Sequence, residues 1–312
     1  MPYCNQMKRI FVILLFSIGV VWTGYGQQDK MFTQYLNYPS SINPAYAGSR
    51  GSTQILGIAR RQWVGLDGAP KSAAISINSP ISFFNMGVGL TLETDVIGPE
   101  KNTDLGVDFS YKIKLASTVF MNLGLKAGLT HQKVDLTNSR VVDQYDPLLQ
   151  EINNDVLPNF GVGTYVYGDD FFVGFSIPRL LQNSIKEGGV LNAELDKSKL
   201  HYFLMAGYLV KVNPFIKLKP TMLFKATQGS RLSWDLSTMA IFLDKFWLGA
   251  SYRDEDSVAG IFQVNINNQL RIGYSYDVAV SKLSSRTHGS HEISLSYDFV
   301  FKSKRLRSPR YF

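Results

Sequence analysis

Cysteine, histidine and charged residues are all scarce in this sequence. Its one cysteine is Cys4, it has four histidines, and Asp, Glu, Lys and Arg together make up 18% of the residues. A single cysteine excludes internal disulfides and cysteine-rich metal sites. By contrast, aromatic residues reach 13% and there are 26 glycines. This composition favours extended strands with bulky side chains over a helical enzyme.

The sequence also lacks an apolar run of the ~20 residues that a membrane-spanning helix needs. The longest such run, "IFVILLFSIGVVW" at 10–22, follows two basic residues and precedes a stretch of small ones. This order is typical of an export signal, so we expect residues 1–26 to be cleaved after Gly26, taking Cys4 with them. An uncleaved membrane anchor is the alternative.

The net charge of +7 comes from the two ends of the chain. Two of the positive charges lie in the export signal. Five more lie in the tail 302–312, at Lys302, Lys304, Arg305, Arg307 and Arg310. The body between them is neutral, so the basic excess is no evidence for nucleic-acid binding. The tail suits an anionic partner or leaflet, or is simply solvated.

Apolar and polar residues alternate over many stretches after the signal. In "LGVDFSYKIKL" at 105–115, large apolar residues occupy every second position and Gly, Asp, Ser and Lys lie between them. This period of two indicates β-strands, with the apolar face toward lipid and the polar face lining an interior. About fourteen candidates are near the ~9–11 residues that cross an outer membrane at a tilt. They begin near Thr53, Ser72, Gly87, Asn102, Ser117, Pro158, Asp170, Lys199, Phe215, Arg231, Phe246, Ser257, Gln269 and Ser290.

The connections between these strands alternate in length. Long ones follow the first, third, fifth and seventh strands: "VGLDGAP", "DVIGPEK", 131–157 and 178–198. Brief turns such as "YGDD" follow the even-numbered strands. A soluble sandwich has no reason to separate loop lengths in this way, whereas an outer-membrane barrel does. The sequence therefore predicts an all-β, transmembrane antiparallel barrel of about 14 strands, with long extracellular loops and short periplasmic turns.

Domain limits follow from this pattern. We expect a barrel over 53–301, preceded by a periplasmic or lumen-packed segment at 27–52 and followed by the basic periplasmic tail. The even strand count puts both termini on the periplasmic side of the outer membrane of a Gram-negative bacterium. Membrane lipid is then one partner of the outer face.

Several motifs resemble those of a known family. They are "FTQYLNYPSSINPAYAGS" at 32–49, "RRQWVGLDGAPKSAAISINSP" at 60–80, "LPNFGVGTYVYGDDFFVGFSIPRL" at 157–180 and "GSHEISLSYDF" at 289–299. Together they resemble the PorP/SprF family, outer-membrane proteins of the type IX secretion system and gliding apparatus of Bacteroidetes-type bacteria. The likeness runs from about Phe32 to Phe301. One departure is Lys71 after the "GAP" triplet, where a hydroxyl residue is usual.

The resemblance implies a barrel that is not an enzyme and carries no cofactor. It implies work with other type IX secretion components and a secreted surface adhesin, in general secretion or for one dedicated substrate. A passive outer-membrane porin or channel is the alternative function.

His288, His291 and Glu292 lie within five residues and are candidates for a metal or catalytic site. On a strand, His291 and Glu292 point to opposite faces and cannot hold one ion together. Gly289 and Ser290 are better explained as the turn into the last strand. No G-x-S-x-G, H-E-x-x-H or phosphate-binding motif is present, and a hydrolase built on Ser290 would lack a recognisable base and oxyanion hole. We therefore expect no catalytic residue and no metal ligand.

Arginines within the strand candidates suggest a charged interior. A lipid-facing arginine costs ~2–4 kcal/mol near the membrane midplane, and only one of Arg60 and Arg61 can face inward. Alternation sends Arg271 inward, which gives the hypothesis of a lumen charge ladder; ordinary solvation of the lumen is the alternative. The ladder would consist of Arg271, Asp277, Glu292 and Asp298.

Two further segments are candidate contacts. "NYPSSINPAYAG" at 37–48 contains two prolines, which make it a rigid extended piece that lies in the lumen or reaches a periplasmic partner. The predicted partner-contact residues are Asn43, Pro44, Tyr46 and Trp63. An outer acidic turn binds calcium or a basic partner surface, or is merely solvated. It consists of Asp254, Glu255 and Asp256.

Overall fold

The computed structural model describes residues 30–135, 152–186, 190–194, 200–228, 230–280 and 282–299. The predicted export signal 1–26 and the basic tail 302–312 lie outside these residues, as does 136–151, the centre of the predicted long loop. Within the described residues, no helix is both long and apolar enough to cross a membrane.

Fourteen antiparallel strands close into a barrel, as the sequence predicts. Their starting points lie within a few residues of the predicted ones, except at Pro158. The strands are β1 Thr53–Arg61, β2 Lys71–Ile81, β3 Met86–Ile97, β4 Glu100–Lys114, β5 Phe120–Asp135, β6 Ile152–Tyr167, β7 Phe171–Ile177, β8 His201–Tyr208, β9 Ile216–Thr227, β10 Ser233–Phe242, β11 Phe246–Arg253, β12 Ser257–Asn265, β13 Leu270–Ala279 and β14 Ser290–Phe299.

Closure comes from pairing of the first strand with the last. β1 and β14 are in register from Thr53 opposite Phe299 to Arg61 opposite His291. Elsewhere each strand pairs with its neighbours in the chain, with β8 joined to β7 and β9. Since hydrocarbon offers no partner to a backbone N–H or C=O, this closure lets the sheet span a membrane without a free edge.

Smaller elements complete the chain. Val210–Lys211 pairs with β9 after β8 ends, and a hairpin of Gln182–Lys186 and Val190–Glu194 lies in the β7–β8 connection. Short 3-10 turns occur at Pro39–Ser41, Pro44–Tyr46, Ser82–Phe84 and Lys282–Arg286.

The two ends of the barrel differ in their connections. We call the end where odd-numbered strands finish the loop rim, and the opposite end the turn rim. The loop rim carries the longer connections 62–70, 136–151, 178–200 and 280–289. The prediction of a long loop at "DVIGPEK" is wrong, because β3 continues to Ile97 and β4 begins at Glu100. Gly98 and Pro99 form a tight turn, with Gly98 at φ +55°, so the flanking residues extend the two strands instead.

Alternation places side chains on two faces. On β4, Phe109 is 50% exposed on the outer face and Asp108 is fully buried inside, as predicted. The interior is not polar throughout, however. From β6 to β12, several inward residues are large and apolar: Tyr165, Tyr167, Phe172, Phe203, Met205, Ile241 and Trp247. The expectation that the polar face lines the interior is therefore wrong on this half of the wall, where apolar side chains also face inward.

Candidate functional site

The lumen is occupied by the chain's own N-terminal segment. We call residues 30–52 the plug. Most of its residues are buried, and Tyr35, Tyr38, Ile42 and Tyr46 are each at most 4% exposed. The "NYPSSINPAYAG" stretch at 37–48 thus lies inside the barrel.

The plug runs nearly the length of the lumen. The backbone N–H groups of Thr33 and Gln34 donate to the Glu292 carboxylate at 2.8 and 2.7 Å, near the loop-rim end of β14. Arg50 pairs at 3.2 Å with Asp298, six residues farther along the same strand. Six strand residues correspond to ~20 Å. The start of the plug therefore lies toward the loop rim, although it joins β1 at the turn rim.

The centre of the plug lies in a trough of small residues. Gly87, Ser110, Gly124, Gly163 and Ser176 are successive cross-strand partners on β3 to β7. A Cβ on Gly124 would lie 2.1 Å from the backbone nitrogen of Ala45, and one on Gly87 would lie 2.1 Å from the carbonyl oxygen of Ala47. The two glycines are thus required for close approach of two backbones.

Barrel side chains in and beside this trough bind the plug through its main chain. The Ser110 hydroxyl donates to the carbonyl of Ala47 at 2.6 Å, and the Asn122 amide donates to that of Ala45 at 3.0 Å. Ser176 donates to the Ile42 carbonyl at 2.9 Å. These bonds satisfy plug carbonyls that are shielded from water, which would otherwise cost about 1–3 kcal/mol each.

Local sequence shapes the plug for this fit. The Asn43 side chain accepts from the Ala45 N–H at 2.9 Å and donates to the Thr164 carbonyl at 2.8 Å. Pro44 occupies the first position of the 3-10 turn, where its missing N–H is not needed. The "NPA" triplet thus forms the turn, and its asparagine also binds the plug to β6.

The apolar wall contacts the aromatic side of the plug. Tyr46 meets Tyr165 edge-on, with ring centres 5.8 Å apart, and Tyr35 belongs to the same buried cluster. Burial raises the pKa of Tyr35 to about 12, because the charged form of its hydroxyl is disfavoured among these rings. The plug therefore presents apolar groups to β6–β12 and backbone carbonyls to β4, β5 and β7.

Ion pairs hold the loop-rim end of the plug. The Arg60 guanidinium lies 2.7 Å from Asp277 and 3.3 Å from Glu292, and donates to the Thr33 hydroxyl at 2.6 Å. Lys30 pairs with Glu93 at 2.6 Å and with Asp104. Burial alone would lower the pKa of Lys30, but these two carboxylates raise it above its ordinary value, which keeps the ammonium charged.

The predicted ladder residues are placed as follows. Asp277, Glu292 and Asp298 all face the lumen, but Arg60 and Arg50 are the arginines beside them. Arg271 also faces inward, near the turn rim. Its guanidinium lies 4.2 Å from the Trp247 ring centre and donates to Asn265 at 2.8 Å. Arg271 and Asp277 are six positions apart on β13, too far to meet.

Sequence reasoning did not assign these roles to Arg60, Arg50 or Lys30. Arg60 and Glu292 are direct cross-strand partners, and once β1 is placed beside β14 their pairing follows from register. No sequence pattern reveals the Arg50 and Lys30 contacts, because both belong to the plug.

The predicted partner-contact residues do not form one patch. Asn43, Pro44 and Tyr46 are buried in the lumen. Trp63 lies in the connection at the loop rim, where its backbone N–H donates to the Ser290 hydroxyl at 3.1 Å. Contact of all four with one partner would require the plug to move.

The acidic turn lies at the loop rim between β11 and β12. Arg231 pairs with Asp254 at 3.4 Å and with Glu255, while Arg253 pairs with Asp256 at 3.0 Å. Each carboxylate thus has an arginine beside it. At the start of β14, Gly289 has φ +83°, His291 faces outward and Glu292 faces the lumen. Within the described ranges, no group of three or more His, Cys, Asp or Glu residues could hold a metal ion.

Comparisons with known proteins give one family match. A family model described as "Type IX secretion system membrane protein PorP/SprF" matches residues 24–297. A comparison with curated proteins gave no match.

Similar solved structures include the CymD monoaromatic hydrocarbon channel, at TM-score 0.47 and 10% identity over 90% of this chain and 96% of that one. The Pseudomonas putida toluene transporter TodX gives 0.47 and 10% over 85% and 94%. A Pseudomonas aeruginosa FadL homologue gives 0.40 and 11% over 80% and 89%.

The trough generates a prediction about closure of the lumen. Gly124→Val should displace the plug, since no side chain fits between β5 and Ala45, and should raise the conductance of the barrel in planar bilayers. Gly260→Val is the matched control, because a Cβ there meets nothing within 4 Å. Deleting residues 30–50 should also open the lumen. If Gly124→Val and the deletion of 30–50 both fold, as judged on heat-shift gels, and leave the conductance unchanged, the plug does not close the lumen.

The ion pairs generate a second prediction. Arg60→Ala leaves two buried carboxylates without their arginine and should cost about 3–5 kcal/mol of stability, lowering the temperature at which the barrel unfolds on gels. Arg271→Ala removes a contact with an aromatic ring worth about 0.5–2 kcal/mol and should matter less. Arg61→Ala, on the outer face of the same strand, is the control. Equal losses for Arg60→Ala and Arg61→Ala would contradict the assignment.

Proposed function

The chain belongs to the PorP/SprF family of type IX secretion system membrane proteins, and from that premise we propose that it assists secretion or surface attachment of a partner adhesin. In this proposal the barrel lies in the outer membrane, works with other components of the secretion and gliding machinery, and is not an enzyme. The buried plug is the observation that favours this function over a passive porin.

A porin needs a continuous aqueous path through its lumen. Here the plug fills the lumen with buried aromatic rings, and barrel side chains bind its main chain. Releasing it would break the Lys30 ion pairs and the hydrogen bond from Arg60 to Thr33, and would expose the apolar half of the wall. Such a barrel can bind partners at its rims and through its plug, but it has no open path for solutes while the plug is in place.

The loop rim is the better candidate for the outer surface. It carries the longer connections, including 62–70 with Trp63, and the acidic turn with Glu255 at its exposed tip. In this orientation the start of the plug faces outward, whereas β1 begins and β14 ends at the periplasmic side. The secreted partner would then meet the loop rim first.

Cysteine labelling tests this orientation, because the only cysteine lies in the expected signal. Glu255→Cys at the loop rim should react with a membrane-impermeant maleimide on intact cells. Asn268→Cys at the turn rim should react only after the outer membrane is permeabilised. The reverse pattern would mean that the turn rim faces outward. Labelling of both sites in intact cells would mean that the outer membrane does not shield the turn rim.

Deletion of the gene tests the function itself. One or more surface proteins should disappear from the cell exterior and return on complementation with the wild-type chain, and a returning protein should co-purify with the tagged barrel. Gly260→Val should complement as well as the wild type. Normal surface proteins in the deletion strain, combined with loss of small-solute uptake, would favour the porin.

A further inference from the structure

A shallow groove runs along the outer face of the barrel over β14, β1, β2 and β3. Gly57, Ala59 and Ala73 form its floor, and a Cβ added to Gly57 would meet nothing within 4 Å. Larger residues stand on both sides: Ile293 and Leu295 on β14, Ile75 on β2 and Leu92 on β3, each about half exposed.

Register explains why the groove forms. Ala59 lies between Ile293 and Ala73, and the next outward row places Gly57 between Leu295 and Ile75. The small residues on β1 thus leave a channel between two aliphatic walls. From position 57 to position 61 the groove extends for ~13 Å, close to the ~15 Å of hydrocarbon in one leaflet.

A basic row closes the groove at the loop-rim end. His291, Arg61 and Lys71 are successive cross-strand partners and all three are exposed on the outer face. In the part of the chain that the structure describes, neither Arg61 nor Lys71 forms an ion pair with a carboxylate. Like charges directly opposite one another in a sheet repel, and an anion against this row would offset the repulsion.

We propose that this surface binds one anionic lipid, with its phosphate against Arg61 and Lys71 and one acyl chain in the groove. Each half of the site matches one half of such a molecule. The groove lies on the apolar outer face, where a hydrocarbon chain is the ligand at hand, and the cations lie at the rim, where headgroups lie. His291 is a third donor beside Arg61 and is oriented by Tyr274, whose hydroxyl is 2.7 Å from its Nδ1.

The lipid site lies on the outer face of the barrel, whereas the plug lies in the lumen. Arg61 and Arg60 are consecutive on β1, so one residue serves the outer face while the next fastens the plug. Lipid binding at this site requires neither release of the plug nor a secretion partner.

Native mass spectrometry of the detergent-purified chain tests the proposal, with dioleoyl phosphatidic acid as the probe. The wild type should retain one lipid. The double variant Arg61→Ala/Lys71→Ala should bind it at least about tenfold more weakly, the factor expected for loss of one charge-assisted contact. Gly57→Leu should weaken binding by filling the groove. Gly260→Leu and Lys245→Ala, elsewhere on the barrel, should bind as the wild type does.

Competing ligands separate a lipid site from a simple anion site. Dioleoyl phosphatidylcholine, whose headgroup is zwitterionic, should bind more weakly, and millimolar inorganic phosphate should not displace phosphatidic acid. Displacement by phosphate, equal binding of both lipids, or undiminished binding by the double variant and by Gly57→Leu would each overturn the proposal. Heat-shift gels should show that every variant is folded.

Discussion

Pairing of β1 with β14 is the constraint on which the rest of the structure depends. A sheet in hydrocarbon must satisfy every backbone N–H and C=O from within, and closing fourteen strands does so. Closure also fixes an interior too wide for the wall's own side chains to fill. Because the chain then has an enclosed volume to occupy, the sequence before β1 becomes part of the core.

The plug and the wall are matched on two chemically different sides. Toward β6–β12 the contact is aromatic and aliphatic, with Tyr46 against Tyr165. Toward β4, β5 and β7 the contact is through hydrogen bonds to plug carbonyls. Ion pairs at the loop-rim end complete the arrangement. Buried ion pairs contribute little net stability but make a misplaced partner costly, so they determine where the plug ends more than how tightly it is held.

Much of the fold could be predicted from the sequence because it depends on a local pattern. Alternation revealed the strands, and strand length together with the alternation of long and short connections indicated a membrane barrel. The tight turn at Gly98 was missed because Gly-Pro can be read as loop or as hairpin turn. The inward rings of Tyr165 and Phe203 were assigned no partner because their partner is the plug. For the same reason Arg271 was chosen over Arg60: an inward arginine is evident from parity, but the carboxylate it meets depends on a neighbour distant in sequence.

The plug is joined to β1 by a covalent bond of the main chain, and this has a consequence for competition. For any foreign peptide, the lumen already holds a tethered ligand, whose effective concentration for a short linker is in the millimolar range. A free segment of equal intrinsic affinity would have to reach that concentration to take its place. A molecule that also binds the rim would itself be tethered to the barrel. It could then compete with the plug for the lumen at a comparable effective concentration.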